Sequence, residues 1–208
     1  MLKIGVLVSG GGTNLQAVID KVHHQSGEIA VVIANKAEAY GLERAKKSGI
    51  ATEILVEEDY ESSGAFNIQM VKTLKDYGVE LVVLAGYMKI ITTEFVEAYP
   101  NRIVNIHPAL IPSFCGEGYF GMHVHQAVID YGVKITGATV HFVNEEADAG
   151  PIIAQQSVAV ADEDTPESIQ KKVLKIEHTL LPWVVEQYCY GNIHVEGRHV
   201  FIKNGGEK

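Results

Sequence analysis

Apolar runs and amphipathic stretches alternate along the first half of the chain. Lys3-Ile4-Gly5-Val6-Leu7-Val8 reads as a strand, a glycine turn follows, and a helix is predicted from about Asn14 to His23. Ile29 to Ala34 is the next strand, Tyr40 to Ser48 a short helix closed by Gly49, and Ile50 to Val56 a third strand. Ala65 to Tyr77 repeats apolar residues at helical spacing and stops at Gly78. Leu81 to Ala85 and Arg102 to Ile106 read as apolar runs, the pattern of central parallel strands covered on both faces. Strand, helix, strand in repetition predicts an α/β fold. Its N-terminal half is a Rossmann-like, open, mostly parallel twisted sheet with helices on both faces and right-handed crossovers.

The pattern changes in the second half. Lys134 to Val143 and Pro151 to Val160 are strand-like runs separated by a short acidic loop, so this C-terminal part is expected to be antiparallel. A long helix begins at Asp164-Thr165-Pro166-Glu167, with a capping residue, a first-turn proline and a first-turn acid. Its apolar positions Ile169, Val173, Ile176 and Leu180 keep helical period, and Pro182 is expected to end or kink it. Ile193 to Val195 and His199 to Ile202 flank a turn as a terminal hairpin. No repeat or linker interrupts the chain, so residues 1–203 form one expected domain and 204–208 a frayed tail.

Composition narrows the partners. The chain carries a net charge of −9 and no lysine- or arginine-rich run, which argues against nucleic acid because phosphate neutralisation needs clustered cations. An anionic small molecule stays open, since backbone N–H groups bind it without cationic side chains. Cys115 and Cys189 are not spaced as a disulfide framework or a metal-ligand pair. The N-terminus enters a strand with no signal pattern, and no apolar run reaches membrane-spanning length, so no membrane partner and a cytoplasmic location are expected.

Three segments carry candidate chemistry. Asn105-Ile106-His107-Pro108 ends an apolar strand on an amide and an imidazole that share one face, with Pro108 stopping the ladder. Outside the carboxyl end of a parallel strand, that pair suits stabilising an oxyanion and moving a proton. A capped strand end with a satisfied histidine is the bland alternative. Ser9-Gly10-Gly11-Gly12-Thr13-Asn14 joins the first strand to the first helix, where a helix N-terminus and close backbone favour phosphate. Leu15 takes the place of the third dinucleotide glycine, and the second strand ends at Asn35-Lys36 rather than on an acid, so a phosphomonoester fits better. Asp148, between two alanines and before Gly150-Pro151, can turn inward, although spacing alone does not bring it to His107.

The remaining candidates are weaker. Leu84-Ala85-Gly86-Tyr87-Met88-Lys89-Ile90-Ile91 leaves a strand through a glycine and could sandwich a flat heteroaromatic ring, with core packing as the simpler reading taken alone. His107, His123, His125 and His141 lie close in sequence, but nothing is spaced to complete a zinc set, and His123 and His125 diverge if a helix begins there. No metal is expected. Cys115 has no identifiable base and reads as a loop residue.

Together these segments resemble the glycinamide ribonucleotide formyltransferases, folate-dependent enzymes of purine synthesis. The resemblance runs from about Leu2 to Trp183 and rests on four motifs in order: Ser-Gly-Gly-Gly-Thr-Asn-Leu-Gln-Ala, Leu-Ala-Gly-Tyr-Met-Lys-Ile, Asn-Ile-His-Pro-Ala-Leu-Ile-Pro, and Gly-Ala-Thr-Val-His-Phe-Val followed by Ala-Asp-Ala-Gly-Pro. It implies the formyltransferase fold and transfer of a formyl group from 10-formyltetrahydrofolate, a co-substrate, to the amine of 5-phosphoribosylglycinamide. It implies His107 as general acid, Asn105 as oxyanion donor and Asp148 as the group holding His107 protonated. Gly11, Gly12, Thr13 and Asn14 match the phosphate site, Glu177 a ribose-binding glutamate, and Met88, Lys89, Ile90, Ile91 and Asn105 the folate site. Lys89 stands where many relatives have arginine, and Ser63 where some have an arginine near the folate tail. Phe114 to Met122 is longer than in the shortest relatives and carries three glycines, which suggests a mobile flap. Small-molecule substrates and a monomer or homodimer are expected. Other readings are a formyl transferase or hydrolase acting on methionyl-tRNA, an amino sugar or water, and a non-enzymatic phospho-ligand or folate-binding module.

Overall fold

A computed structural model describes residues 1–203; the expected tail at 204–208 lies outside the described residues. Strands β1 (Leu2–Val8), β2 (Gly27–Ala34), β3 (Ala51–Ile54), β4 (Leu81–Leu84) and β5 (Ile103–His107) run parallel in the order β3-β2-β1-β4-β5. Strands β6 (Ile135–Phe142) and β7 (Ile152–Ala159) extend the sheet as an antiparallel hairpin beside β5. A separate two-stranded ribbon, β8 (Ile193–Glu196) and β9 (His199–Ile202), closes the described chain.

The central strands β1 and β4 are apolar on both sides because both sides are covered, whereas the edge strand β3 (Ala-Thr-Glu-Ile) buries none of its residues fully. In β1, Ile4, Val6 and Val8 pack with helices α1 (Thr13–Val22), α2 (Tyr40–Lys47), α5 (Met122–Tyr131) and α6 (Pro166–Cys189). Leu7 faces the other way, onto Phe66, Met70 and Leu74 of α3 (Ser63–Asp76) and Phe95 of α4 (Thr93–Ala98). Helix α4 is a finding that the hydrophobic period did not announce; of its six residues only Phe95 is buried. The Ser62 side chain caps α3 by accepting the Ala65 N–H at 3.1 Å.

Helix α6 departs from expectation at Pro182. It runs unbroken from Pro166 to Cys189. A proline at 182 cannot donate to the carbonyl four residues back, that of His178. That carbonyl instead accepts from the Lys21 ammonium of α1 at 2.9 Å, and Leu180, Leu181, Val184 and Val185 bury the turn around it. Each such aliphatic burial is worth about 1.5–3 kcal/mol, enough together to offset the lost helix bond. The start of α6 matches the sequence: Thr165 accepts from the Ser168 N–H, Ser168 accepts from the Thr165 N–H, and Pro166 opens the helix.

Candidate active site

The strand order reverses between β1 and β4, and a crevice at such a point lies beyond the carboxyl ends of the strands. There the Ser9 N–H donates to the Gly86 carbonyl (3.2 Å) and the Met88 N–H to the Ser9 hydroxyl (2.8 Å), pinning the exits of β1 and β4 together. Beside them opens a cleft of about 700 Å³, and Asn14, Met88, Lys89, Asn105, His107, Asp148 and Glu177 all line it.

Asn105 and His107 lie two apart on β5, and the antiparallel partner β6 sets His141 opposite Asn105 and Thr139 opposite His107. The Nδ1 of His141 lies 2.8 Å from the Phe142 carbonyl, so that nitrogen carries the proton. Its Nε2 lies 3.2 Å from the Asn105 amide nitrogen and also faces Asp148. Sequence reasoning singled out His141 only as one of four histidines. The pairing register of the β6 hairpin is the signal that places it.

Asp148 reaches this group from the β6–β7 loop in a left-handed conformation, φ 54°, which aspartate tolerates better than most residues. Two residues on, a Cβ at Gly150 would overlap the Phe142 carbonyl oxygen, so only glycine lets the loop fold in so tightly. Asp148 Oδ2 stands 3.4 Å from His107 Nδ1 and accepts the Gly116 N–H at 3.0 Å. Its Oδ1 lies 3.5 Å from both Asn105 Nδ2 and His141 Nε2. His107 Nε2 lies 2.8 Å from the Phe114 carbonyl. The segment from Phe114 to Gly116 therefore touches both members of the pair, from backbone held at positive φ at each end. The sequence marks this segment as a flap, but its backbone contacts with His107 and Asp148 are not legible there.

Burial lowers the pKa of His107, while the Asp148 carboxylate and the Phe114 carbonyl pull the other way. Asp148 pulls the imidazole upward, but desolvation outweighs it, so the net shift of His107 is downward. Burial works to raise the Asp148 carboxyl, yet contacts with His141, His107 and the Gly116 N–H hold it below the usual carboxylate range. Helix α5 separates the other two histidines: His123 is exposed, whereas His125 is buried with its Nδ1 unpartnered. Burial, with the neighbouring His107, takes the pKa of His125 down to about 4.

The glycine loop lies at the N-terminus of α1. Gly12 sits at φ 67°, and a Cβ there would come within 2.6 Å of the Gly41 Cα. The Gly41 N–H donates to the Gly10 carbonyl (3.0 Å) and Arg44 Nε to the Gly11 carbonyl (2.8 Å), so α2 grips the loop by its oxygens. No side chain caps α1, which leaves its first N–H groups, from Thr13 onward, for a ligand. Arg44 adds a positive charge that sequence reasoning did not count. From α6, Glu177 Oε2 accepts the Asn14 amide N–H at 2.7 Å, and both residues line the cleft. Burial raises the Glu177 carboxyl, against the Asn14 hydrogen bond.

Opposite this polar end, Met88 and Ile90 are exposed at 50% and 82% although they line the cleft, with Ile91 half-buried. Apolar side chains held out in this way form the wall a flat ring needs. Cys115 is free, and its thiol donates to the Pro112 carbonyl at 3.3 Å. Among the described residues no group of three or more His, Cys, Asp or Glu is arranged to hold a metal ion. No helix among them is long and apolar enough to cross a membrane.

A sequence profile described as formyl transferase matches residues 2–185. The chain belongs to the formyl transferase family. It is 43% identical over 190 residues to the chloroplastic phosphoribosylglycinamide formyltransferase of Arabidopsis thaliana, covering 90% of this chain and 65% of that protein. The chain thus spans just under two thirds of the length of that plant relative. The phosphoribosylglycinamide formyltransferase of Escherichia coli K12 is 39% identical over 194 residues, 92% of this chain and 89% of that one. A crystal structure of glycinamide ribonucleotide transformylase 1 from Symbiobacterium toebii superposes with a TM-score of 0.92 at 42% identity, covering 98% of this chain and 95% of that one. The formyl transferase fold expected from the sequence is therefore found, mostly parallel sheet and antiparallel extension included.

Proposed function

We propose that this formyl transferase moves the formyl group of 10-formyltetrahydrofolate to the amine of 5-phosphoribosylglycinamide. The observation that carries this reading is the meeting of Asn105, His107 and Asp148 in one cleft between a phosphate-suited helix terminus and an apolar wall. The names of the relatives point to the same substrates.

In this reading the phosphate rests on the N–H groups of Gly11, Gly12, Thr13 and Asn14, and Glu177 takes the ribose hydroxyls. The flat ring of the folate packs on Met88, Ile90 and Ile91. The amine nitrogen attacks the formyl carbon, forming a C–N bond and a tetrahedral oxyanion. Asn105 turns an amide N–H to that oxygen, a contact worth about 3–4 kcal/mol in comparable sites. A negative charge growing beside His107 raises the imidazole's pKa, reinforcing Asp148 at the moment an acid is needed. The imidazolium then protonates the departing folate nitrogen as its bond to the formyl carbon breaks. The amine's extra proton passes to solvent through Asp148 and water.

In the resting cleft both His107 nitrogens face acceptors, Asp148 and the Phe114 carbonyl. Only the imidazolium donates to both at once, and the Phe114 segment must yield when substrate takes its place. Residues 1–203 act as one domain in this account. The test is an absorbance assay for tetrahydrofolate release with 5-phosphoribosylglycinamide as acceptor. Turnover that needs both compounds supports the reading; release with water, an amino sugar or methionyl-tRNA in its place would transfer the assignment to that acceptor.

A further inference from the structure

Lys89 is the one lysine or arginine among the described residues lining the cleft, against Glu117, Glu145, Glu146, Asp148 and Glu177. That single cation is already taken. Its ammonium stands 2.7 Å from Glu57 Oε2 and 3.7 Å from Glu58 Oε1, with the Lys89 and Glu57 side chains 32% and 26% exposed. Glu57 and Glu58 come from the short 3-10 turn Glu57–Asp59 that follows β3, and Asp59 and Glu61 continue the acidic run. Lys89, assisted by the Ser63 hydroxyl, holds the Glu57 carboxyl below its usual range, and Glu57 in turn raises the Lys89 ammonium. One positive charge thus faces two carboxylates within 4 Å, and the rim of the cleft beside Met88 and Ile90 is net negative.

A folate has an apolar ring at one end and at the other a glutamate, or a γ-linked chain of them, each adding a carboxylate. With its reacting nitrogen at Asn105 and His107 and its ring on the apolar wall, the tail leaves by the cleft mouth. The cation nearest that exit is Lys89. A tail carboxylate gains Lys89 only by displacing Glu57, and every further glutamate meets Glu58, Asp59 and Glu61 as like charges.

We propose that Glu57 is a specificity-determining residue: by neutralising Lys89 it makes the enzyme nearly indifferent to the number of glutamates on its folate co-substrate. This rests on the folate reading given above. The usual route to tighter binding of a longer anionic tail, an unpaired cation at the exit, is closed here by the chain's own carboxylate.

The experiment compares monoglutamyl and triglutamyl 10-formyltetrahydrofolate with wild type, Glu57→Gln and Lys89→Met, reading KM and kcat separately, alongside equilibrium binding of the two tetrahydrofolates. Wild type is expected to show KM values within about twofold of each other. Glu57→Gln should lower the triglutamate KM relative to the monoglutamate KM by about two- to fivefold, the span of a partly exposed ion pair, and added salt should erase the gain. Lys89→Met, which leaves the Glu57 carboxylate without its cation, should raise the triglutamate KM relative to the monoglutamate KM. A wild-type preference for triglutamate of tenfold or more, or a ratio unmoved in Glu57→Gln, overturns the proposal while turnover itself still supports the reaction. Absence of turnover with either compound overturns the reaction assignment, and this inference with it.

Discussion

Asp148 stands 3.4 Å from His107 across 41 residues of chain, and it does so from a backbone conformation that few residues other than glycine adopt. The carboxylate's two oxygens are divided: one serves His107 and the Gly116 N–H, the other faces Asn105 and His141. Asp148→Asn preserves the shape and removes the charge, leaving an amide N–H to oppose the Gly116 N–H or the Asn105 amide. The expected result is a loss of about two to four orders of magnitude in kcat, as for other carboxylates that orient an imidazole. The pH dependence should move as well. A His107 acid works while protonated, so its rate falls as pH rises through its pKa; without Asp148 that pKa is lower, and the alkaline limb shifts to lower pH. A full pH–rate profile for both proteins checks the direction.

Gly150 is the hinge on which that placement depends. A methyl group added there overlaps the Phe142 carbonyl, a backbone atom fixed in β6 that cannot move aside. Gly150→Ala should therefore displace the Asp148 loop rather than the strand. Misplacement of a catalytic group by about 1 Å costs on the order of 100-fold in rate. Binding of inorganic phosphate at the glycine loop, which shares no element with the β6–β7 turn, should change little. Kinetics together with phosphate titration separate this local effect from general unfolding.

Much of this arrangement is legible in the chain because most elements other than α4 announce themselves by pattern: the alternation of β6 and β7, the 3.6-residue repeat of α6, and the apolar runs of β4 and β5. Pro182 was misread because its cost is local while its compensation is not; the donor that rescues the His178 carbonyl is Lys21, on another helix. Asn105, His107 and Asp148 were visible as residues out of place in their surroundings. The roles of His141, Arg44 and the Phe114 carbonyl were not, since each follows from register or from backbone atoms that no residue type encodes. Their positions are fixed by contacts at 2.8–3.2 Å: those of Arg44 and His141 span 33 and 36 residues, and that of Phe114 depends on the backbone of the loop that follows β5.

Glu177 carries a cost that binding would repay. Its carboxyl is buried, its pKa is raised, and its one hydrogen-bond partner among the described residues is the Asn14 amide. An acid whose folded pKa lies above its unfolded value stabilises the fold at low pH and gives that stability up as pH rises through the folded pKa. At neutral pH the charged form is therefore a liability. Glu177→Gln keeps an oxygen for Asn14 and removes the charge, so Tm at pH 7.5 should rise or hold, while KM for the ribonucleotide increases about tenfold. A thermal melt and a Michaelis curve on the same preparation test the trade; a lower Tm with unchanged KM would give Glu177 a purely structural role.

His125 should make the fold acid-sensitive. Its pKa is taken down to about 4 by burial and by His107, against about 6.5 in the unfolded chain. A histidine whose folded pKa is depressed binds fewer protons folded than unfolded, so the stability it allows is complete above about pH 6.5 and is lost as pH falls toward 4. By pH 5 the linkage amounts to about 2 kcal/mol from this residue alone. His125→Asn, which does not titrate, should lose that much less stability than wild type between pH 7 and pH 5, whatever its stability at pH 7. Urea denaturation at the two pH values, compared between the proteins, isolates the difference from every other titrating group they share. His107 needs separate attention, since it too is buried and its pKa moves the same way; the double substitution with His107→Asn should flatten the remaining slope between pH 6.5 and pH 5 further. Equal acid losses in wild type and His125→Asn would mean that water reaches the unpartnered Nδ1 and keeps His125 near its ordinary pKa.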